Sequence, residues 1–323
     1  MNTFNNDPNF SIVMPGGCNA NCKFCFNKDT NKKTSEPIQT WIKILHDILI
    51  KLPEHFYQIS ITGGEPLLSP NLEALSYVFQ LSGLKDKYTN ILLTTNGTGL
   101  IEKIDTVSSF VDHVNVSRHH YDEDENRKIF GGSYCVTDEY LRESIDEYGK
   151  RGIDVSVNCV INDKTTKAFI LSFIDWSKTI GFHAIRFRKE NGNLEQTPVE
   201  KEFSEYKNLW HGACPVCRTA LQRIRGVDVF WKSSTLEPSE TITDSIFELV
   251  YESDAYIYLD WKREKKLIDV FHVSMQKQKP SEKSTNQKKQ IREHANSGSC
   301  GGFVTDNCGN VVTGRCGNPK SRC

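Results

Sequence analysis

From residue 9 to about residue 210 the chain alternates two hydrophobic rhythms. Short runs rich in apolar and β-branched residues predict strands over 10–14, 57–62, 90–95, 113–117, 153–161 and 183–188. Between them lie stretches with helical periodicity. The first has a candidate N-cap at Ser35 and Pro37 in its first turn, with Ile38, Trp41, Ile42, Leu45, Ile48 and Leu49 on one face. Thr137 followed by Asp138 and Glu139 opens another helix. The run 165–180 carries Ala168, Phe169, Leu171, Phe173, Ile174 and Trp176 and predicts a third. Six strand–helix units in succession predict an α/β fold with a parallel sheet. Right-handed crossovers would curl it toward an open, partial (β/α)6 barrel rather than a closed eight-stranded one.

Past residue 211 this rhythm stops. Residues 214–234 and 254–261 look like short antiparallel strands, and 276–298 are polar, with six Lys or Arg against two Glu. That segment is read as a linker or mobile loop, with docking of RNA or an acidic peptide as the alternative. The expected organisation is a barrel over 1–210 and a small α+β extension over 211–323 bearing cysteines. The 323 residues have a formal net charge of −1, so no overall imbalance points to nucleic acid or a membrane surface. No apolar run reaches the roughly 18 residues of a membrane span, and the first residues lack a basic-then-apolar leader. A cytoplasmic protein is expected. Eleven cysteines in such a chain point to metal or redox chemistry rather than a secreted disulfide framework.

The chemistry concentrates where the strands end. Cys18, Cys22 and Cys25 stand in Cys-Asn-Ala-Asn-Cys-Lys-Phe-Cys, directly after the first strand. Three thiolates can hold three irons of a four-iron cubane, because full protein ligation takes four cysteines. The fourth iron then stays open for a reacting ligand. By themselves the three could equally belong to a zinc site. After the second strand comes Thr62-Gly63-Gly64-Glu65-Pro66, in which paired glycines allow close backbone approach. The carboxylate or neighbouring carbonyls there can accept from an ammonium. Taken alone, this is also an ordinary strand-to-helix turn.

Together the two segments resemble the cluster loop and second motif of the radical S-adenosylmethionine (SAM) superfamily. The likeness is to relatives of the molybdenum-cofactor cyclase and to members with twitch or SPASM extensions, and it covers residues 10 to about 190. It implies a [4Fe-4S] cluster whose open iron binds SAM, reductive cleavage to a 5′-deoxyadenosyl radical, and hydrogen abstraction from a substrate. It also implies an electron donor such as flavodoxin or ferredoxin. Carried onto this chain residue by residue, it makes Phe24 an adenine neighbour, with packing as the alternative, and Gly63, Gly64 and Glu65 the holders of the SAM amino group. Asn96, in Thr95-Asn96-Gly97, is a polar contact. Ser117 and Asn158, at the ends of the fourth and fifth strands, are SAM contacts, or hydrogen bonds that merely close those strands.

Arg186 and Arg188 share one face of the sixth strand, where burial disfavours unpaired charge, so one is expected to meet a carboxylate of SAM or substrate. Arg118, His119 and His120 are the substrate-side candidates. Cys214 and Cys217, with Cys300 and Cys316 flanking a strand–turn–strand segment, suggest an auxiliary iron–sulfur cluster, with zinc or idle thiols as alternatives. Cys308 interrupts that segment, and the full SPASM spacing is absent. Cys135 and Cys159 read as small core or loop residues.

The favoured substrate is a small anionic metabolite or nucleotide. A maturase of a peptide or protein is the runner-up, and a non-catalytic zinc- or RNA-binding module is the alternative of another class. No membrane or nucleic-acid partner is expected.

Overall fold

The computed structural model describes residues 3–25, 27, 37–52, 56, 58–132, 134–190, 197–211, 219–232, 245–259, 261, 263, 266–267, 304–305 and 311–312. The first half runs β1 (Thr3–Met14), α1 (Ile38–Lys51), β2 (Gln58–Gly63), α2 (Leu72–Leu81), α3 (Leu84–Lys87), β3 (Ile91–Thr95), α4 (Ile104–Ser108), β4 (His113–Ser117), α5 (Glu123–Ile129) and α6 (Asp138–Lys150). It continues through β5 (Asp154–Ile161), α7 (Lys167–Ile180), β6 (Ala184–Lys189), α8 (Pro198–Glu202), β7 (Asn208–His211), β8 (Ala220–Ile224) and β9 (Val227–Lys232). Last come β10 (Ser245–Tyr251), β11 (Ile257–Tyr258), β12 (Val304–Thr305) and β13 (Val311–Val312).

Strands β1 to β6 lie side by side, all parallel and in chain order, as the alternating rhythm predicts. The sheet stays open. It has eleven strands in the order β11-β10-β1-β2-β3-β4-β5-β6-β9-β8-β7. The strand periodicity of two sorts its faces. Phe10, Ile12, Ile59, Ile61, Ile91, Leu93, Val114, Val116, Val155, Val157, Ile185 and Phe187 point outward and are buried. They join one core with Trp41 and Leu45 of α1, Leu75 and Phe79 of α2, Leu141 of α6, and Ile170 and Phe173 of α7. Each covered Leu, Ile or Phe contributes roughly 1.5–3 kcal/mol by leaving water.

The opposite, inner face is polar. Ser11 donates to Glu248, His113 pairs with Ser156 Oγ at 2.7 Å, and Ser156 donates to Asn115 Oδ1 at 3.0 Å. Its floor is therefore a hydrogen-bonded layer, while the hydrophobic stabilisation lies outside, against the helices.

Three details differ from the sequence reading. Helix α1 starts at Ile38 with Pro37 as the residue before it, so Pro37 sits at the cap rather than in the first turn; Ser35 lies outside the described residues. The short antiparallel strands expected in 214–234 exist as β8–β9, but β9 also pairs in parallel with β6. Strand β10, not expected from the sequence, pairs in parallel with β1. Strands from beyond residue 211 thus extend both edges of the sheet. The strand–turn–strand expected near the C-terminus is present as the antiparallel pair β12–β13. Cys214, Cys217, Cys300, Cys308, Cys316 and the segment 276–298 lie outside the described residues.

Candidate active site

All six parallel strands point their C-terminal ends to one rim, and the loop bearing Cys18, Cys22 and Cys25 follows β1 there. That loop is held by the three loops beside it. Glu65 N–H donates to Gly17 O at 2.9 Å, Asn96 Nδ2 to Asn19 Oδ1 at 2.7 Å, and Asn21 N–H to Phe130 O at 2.8 Å. Asn19 Nδ2 in turn reaches Thr98 Oγ1 at 2.9 Å.

The double glycine is required by this contact. A Cβ on Gly64 would stand 2.3 Å from Gly17 O, and one on Gly63, whose φ is 145°, would stand 2.6 Å from Met14 O. Close backbone approach was expected toward a ligand; the structure shows that it first serves the packing of two loops.

Glu65 is engaged by the protein itself. The carboxylate is buried and accepts from Leu67 N–H at 3.1 Å, Thr95 Oγ1–H at 2.6 Å and Asn96 N–H at 2.6 Å. It fastens the end of β2 to the end of β3. Burial pushes its carboxyl up to about 7, against the three donors that pull it down. Asn96 is buried in the same knot, and its Nδ2 lies 3.8 Å from Cys18 Sγ.

Ser117 and Asn158 are register partners at the ends of β4 and β5, and Asn158 is in turn paired with Arg186 on β6. Asn158 is buried and Ser117 half-buried. Their alternation puts both on the inner face, together with Arg186 and Arg188. Arg186 is fully buried, donates to Ser156 Oγ, and lies over the Phe230 ring at 5.5 Å. Arg188 is two residues nearer the rim, half-buried, and in register with the buried Lys232 of β9. Lys232 was not foreseen, because its strand joins the sheet only through the chain beyond residue 211.

The segment after β4 is mostly structural in its contacts. Arg118 is fully buried; it donates to His120 O at 2.9 Å, Val136 O at 2.8 Å and Asp138 Oδ1 at 3.1 Å, and lies 2.9 Å from Cys135 Sγ. Its guanidinium is thus taken up by partners within the protein. His119 Nδ1 accepts from Val160 N–H at 3.2 Å, which binds it to β5. Burial, with the Arg118 charge beside it, takes its pKa down to about 3, so the ring is neutral near pH 7. His120 Nδ1 accepts from Asp122 N–H at 2.9 Å, and the ring packs on Tyr121 and Phe169. Phe24 stands edge-on to His119, centroids 4.8 Å apart, which orients it within the cysteine loop.

Three thiols on one short loop, with Ala20 N–H at 3.3 Å and Asn96 Nδ2 at 3.8 Å from Cys18 Sγ, form a donor set suited to an iron–sulfur cluster, whose sulfurs take such hydrogen bonds. Burial raises the Cys18 thiol, and these two contacts oppose that. Among the described residues no three His, Cys, Asp or Glu side chains stand close enough to hold an ion, so the loop presents its thiols without having gathered them.

Comparison with known proteins agrees with this geometry. Residues 12–176 match the Radical SAM superfamily, and this span contains the cysteine loop, the paired glycines, Asn96, Ser117 and Asn158. The chain belongs to the Radical SAM superfamily.

It is similar to a GTP 3′,8-cyclase of Aquifex aeolicus, 29% identical over 180 residues, covering 53% of this chain and 52% of the cyclase. It is also similar to an S-adenosylmethionine-dependent nucleotide dehydratase of Flammeovirga pacifica, 26% identical over 214 residues, covering 62% of this chain and 70% of the dehydratase. The chain thus spans about half the length of the cyclase relative. In fold it is similar to Streptococcus suis SuiB, solved bound to S-adenosylmethionine, with a TM-score of 0.53 at 16% identity, covering 85% of this chain and 64% of SuiB. SuiB bound to the precursor peptide SuiA gives 0.55 at 15% identity, covering 84% and 66%.

Membership of this superfamily implies a [4Fe-4S] cluster and SAM and speaks for an enzyme rather than a non-catalytic module. No helix among the described residues is long and apolar enough to cross a membrane.

Proposed function

We propose that this radical SAM enzyme acts on a small anionic substrate of the nucleotide class. The observation that carries the reading is the inner face of β6 and β9. There Arg188 and Lys232 stand side by side at the rim, with Arg186 one step deeper. Two adjacent cations in a partly desolvated mouth favour a multiply charged anion such as a phosphate chain. The nucleotide-acting cyclase and dehydratase relatives support the same class. Cys18, Cys22 and Cys25 would hold the cluster; Ser117, Asn158 and the turn at Gly63-Gly64 would hold SAM. When bound, cluster and SAM supply the deoxyadenosyl radical that removes a hydrogen from the substrate. The chain's own residues bind, orient and enclose.

In the same proposal the protein is cytoplasmic and takes electrons from a flavodoxin- or ferredoxin-type donor. The barrel over 1–210 supplies the cluster and SAM sites, Lys232 of β9 completes the substrate side, and Cys214, Cys217, Cys300 and Cys316 hold an auxiliary cluster, or zinc in its place. The β12–β13 pair between Cys300 and Cys316 favours a second reading, the maturation of a peptide, because hairpins of this kind accompany auxiliary clusters in the peptide-modifying members that the sequence resembles.

One experiment separates the two. Reconstituted enzyme is incubated anaerobically with SAM, dithionite and either nucleoside triphosphates or cysteine-bearing peptides, and 5′-deoxyadenosine is measured. Nucleotides should stimulate its formation, and Arg188→Ala or Lys232→Ala should raise the nucleotide KM about tenfold, the loss of one charge-assisted contact. Stimulation by peptides alone would overturn the nucleotide reading.

A further inference from the structure

Just past β10, Glu252 is fully buried, and its carboxylate accepts from Arg263 Nε. The same guanidinium donates through Nη2 to Asn27 Oδ1 at 2.8 Å. Asn27, two residues after Cys25, is itself buried and donates through Nδ2 to Gly63 O at 2.6 Å. Glu252 is fixed from the other side. Its carbonyl accepts from Trp41 Nε1 at 2.8 Å, and its N–H donates to Tyr256 O at 3.0 Å. Four residues thus connect the C-terminal segment to the cysteine loop and to the first glycine of the SAM-binding turn.

A buried ion pair adds little net stability, because desolvating both charges costs about what their attraction returns. Its contribution here is directional. A guanidinium is a rigid planar fork whose separate edges address two acceptors at a fixed angle, and a lysine ammonium cannot do this. Asn27 likewise has one acceptor and one donor end, both used.

We propose that Arg263 is a positioning residue for SAM binding: anchored on Glu252, it orients Asn27, and Asn27 sets the direction of the Gly63 carbonyl and the peptide that follows. Gly63 ends β2 opposite Met14 of β1 at a φ of 145°, and its carbonyl, at the start of the turn, is held by Asn27. Glu252 and Arg263 both lie outside the span 12–176 that matches the superfamily, so this hold on the SAM turn belongs to the chain's own extension. The inference rests on the assignment of Gly63-Gly64 to SAM.

The test uses the full chain. In Arg263→Lys the pair with Glu252 survives and the contact to Asn27 is lost. The SAM dissociation constant should rise about tenfold or more, with iron content and cluster absorbance unchanged. Asn27→Ala should give the same shift, and the double variant no more than either alone, since both cut one relay. In the metal-free protein, amide exchange over residues 62–65 should quicken in both variants, a readout that needs no SAM. Wild-type exchange and SAM affinity in Arg263→Lys would overturn the proposal, as would additive effects or loss of iron together with SAM. A wild-type protein that binds no SAM would instead overturn the assignment of the turn, while the exchange measurement would still judge the relay.

Discussion

At Glu65 two effects oppose each other within one side chain. Burial resists its charge, while three donors from Leu67, Thr95 and Asn96 favour it, and the balance leaves the carboxyl near 7 against an ordinary value of 4.5. The folded state therefore holds this proton more tightly than the unfolded chain does. The resulting stability is fully present below pH 4.5 and is lost as pH rises through about 7. We expect the unfolding free energy of wild type, relative to Glu65→Gln, to fall between pH 5 and 8 in urea titrations; a rise over that range would contradict it. Glu65→Ala strands three buried donors and should cost of order 3 kcal/mol or more. The three cysteines make a sharper case. With Cys18, Cys22 and Cys25 all changed to Ala, no thiolate remains to hold iron, and 5′-deoxyadenosine formation should vanish. Continued formation at the wild-type rate would remove the cysteine loop from the reaction.

At the scale of elements, the ends of β4 and β5 carry the SAM prediction. Ser117→Ala and Asn158→Ala each remove one polar group from adjacent positions on the inner face. Each should weaken SAM binding by roughly 1–3 kcal/mol while leaving cluster absorbance intact. Unchanged affinity in both would mean that SAM lies elsewhere along the rim. The six parallel strands were legible because their outward faces must be apolar to meet the helices, and alternate residues record that demand locally. Strand β10 was not legible. Its partner β1 lies at the other end of the sequence, and a pairing such as Thr3 with Ser245 leaves no periodic mark near either residue. The same limit hid Lys232, which acquires its neighbour Arg188 only through the parallel pairing of β9 with β6. The contacts of Arg118 were hidden for a related reason. An arginine beside two histidines looks like a binding group, yet its partners, Val136 O and the Asp138 carboxylate, lie beyond α5 at the start of α6 and are invisible as a motif.

For the whole molecule the question is how many metal centres one chain carries. If Cys214, Cys217, Cys300 and Cys316 share a cluster, a loop of some eighty residues must close. That cost grows only logarithmically with length, and metal–thiolate bonds would exceed it. Reconstituted wild type should then hold about eight irons, two cubanes, and Cys214→Ala with Cys217→Ala should leave about four. Four irons in the wild type, or zinc in place of the rest, would leave only the first centre.

The parallel pairing of β1 with β10 also has a consequence for synthesis. Strand β1 leaves the ribosome well before β10 and can pair with β2 first, but its other edge waits for residues 245–251. At translation rates of about 5–20 residues per second, that edge stays bare for roughly ten to forty seconds. An open row of backbone donors and acceptors is a template for pairing with another nascent chain. Slower elongation between β2 and β10 should therefore lower the soluble yield of this protein, whereas the same slowing after residue 251 should not.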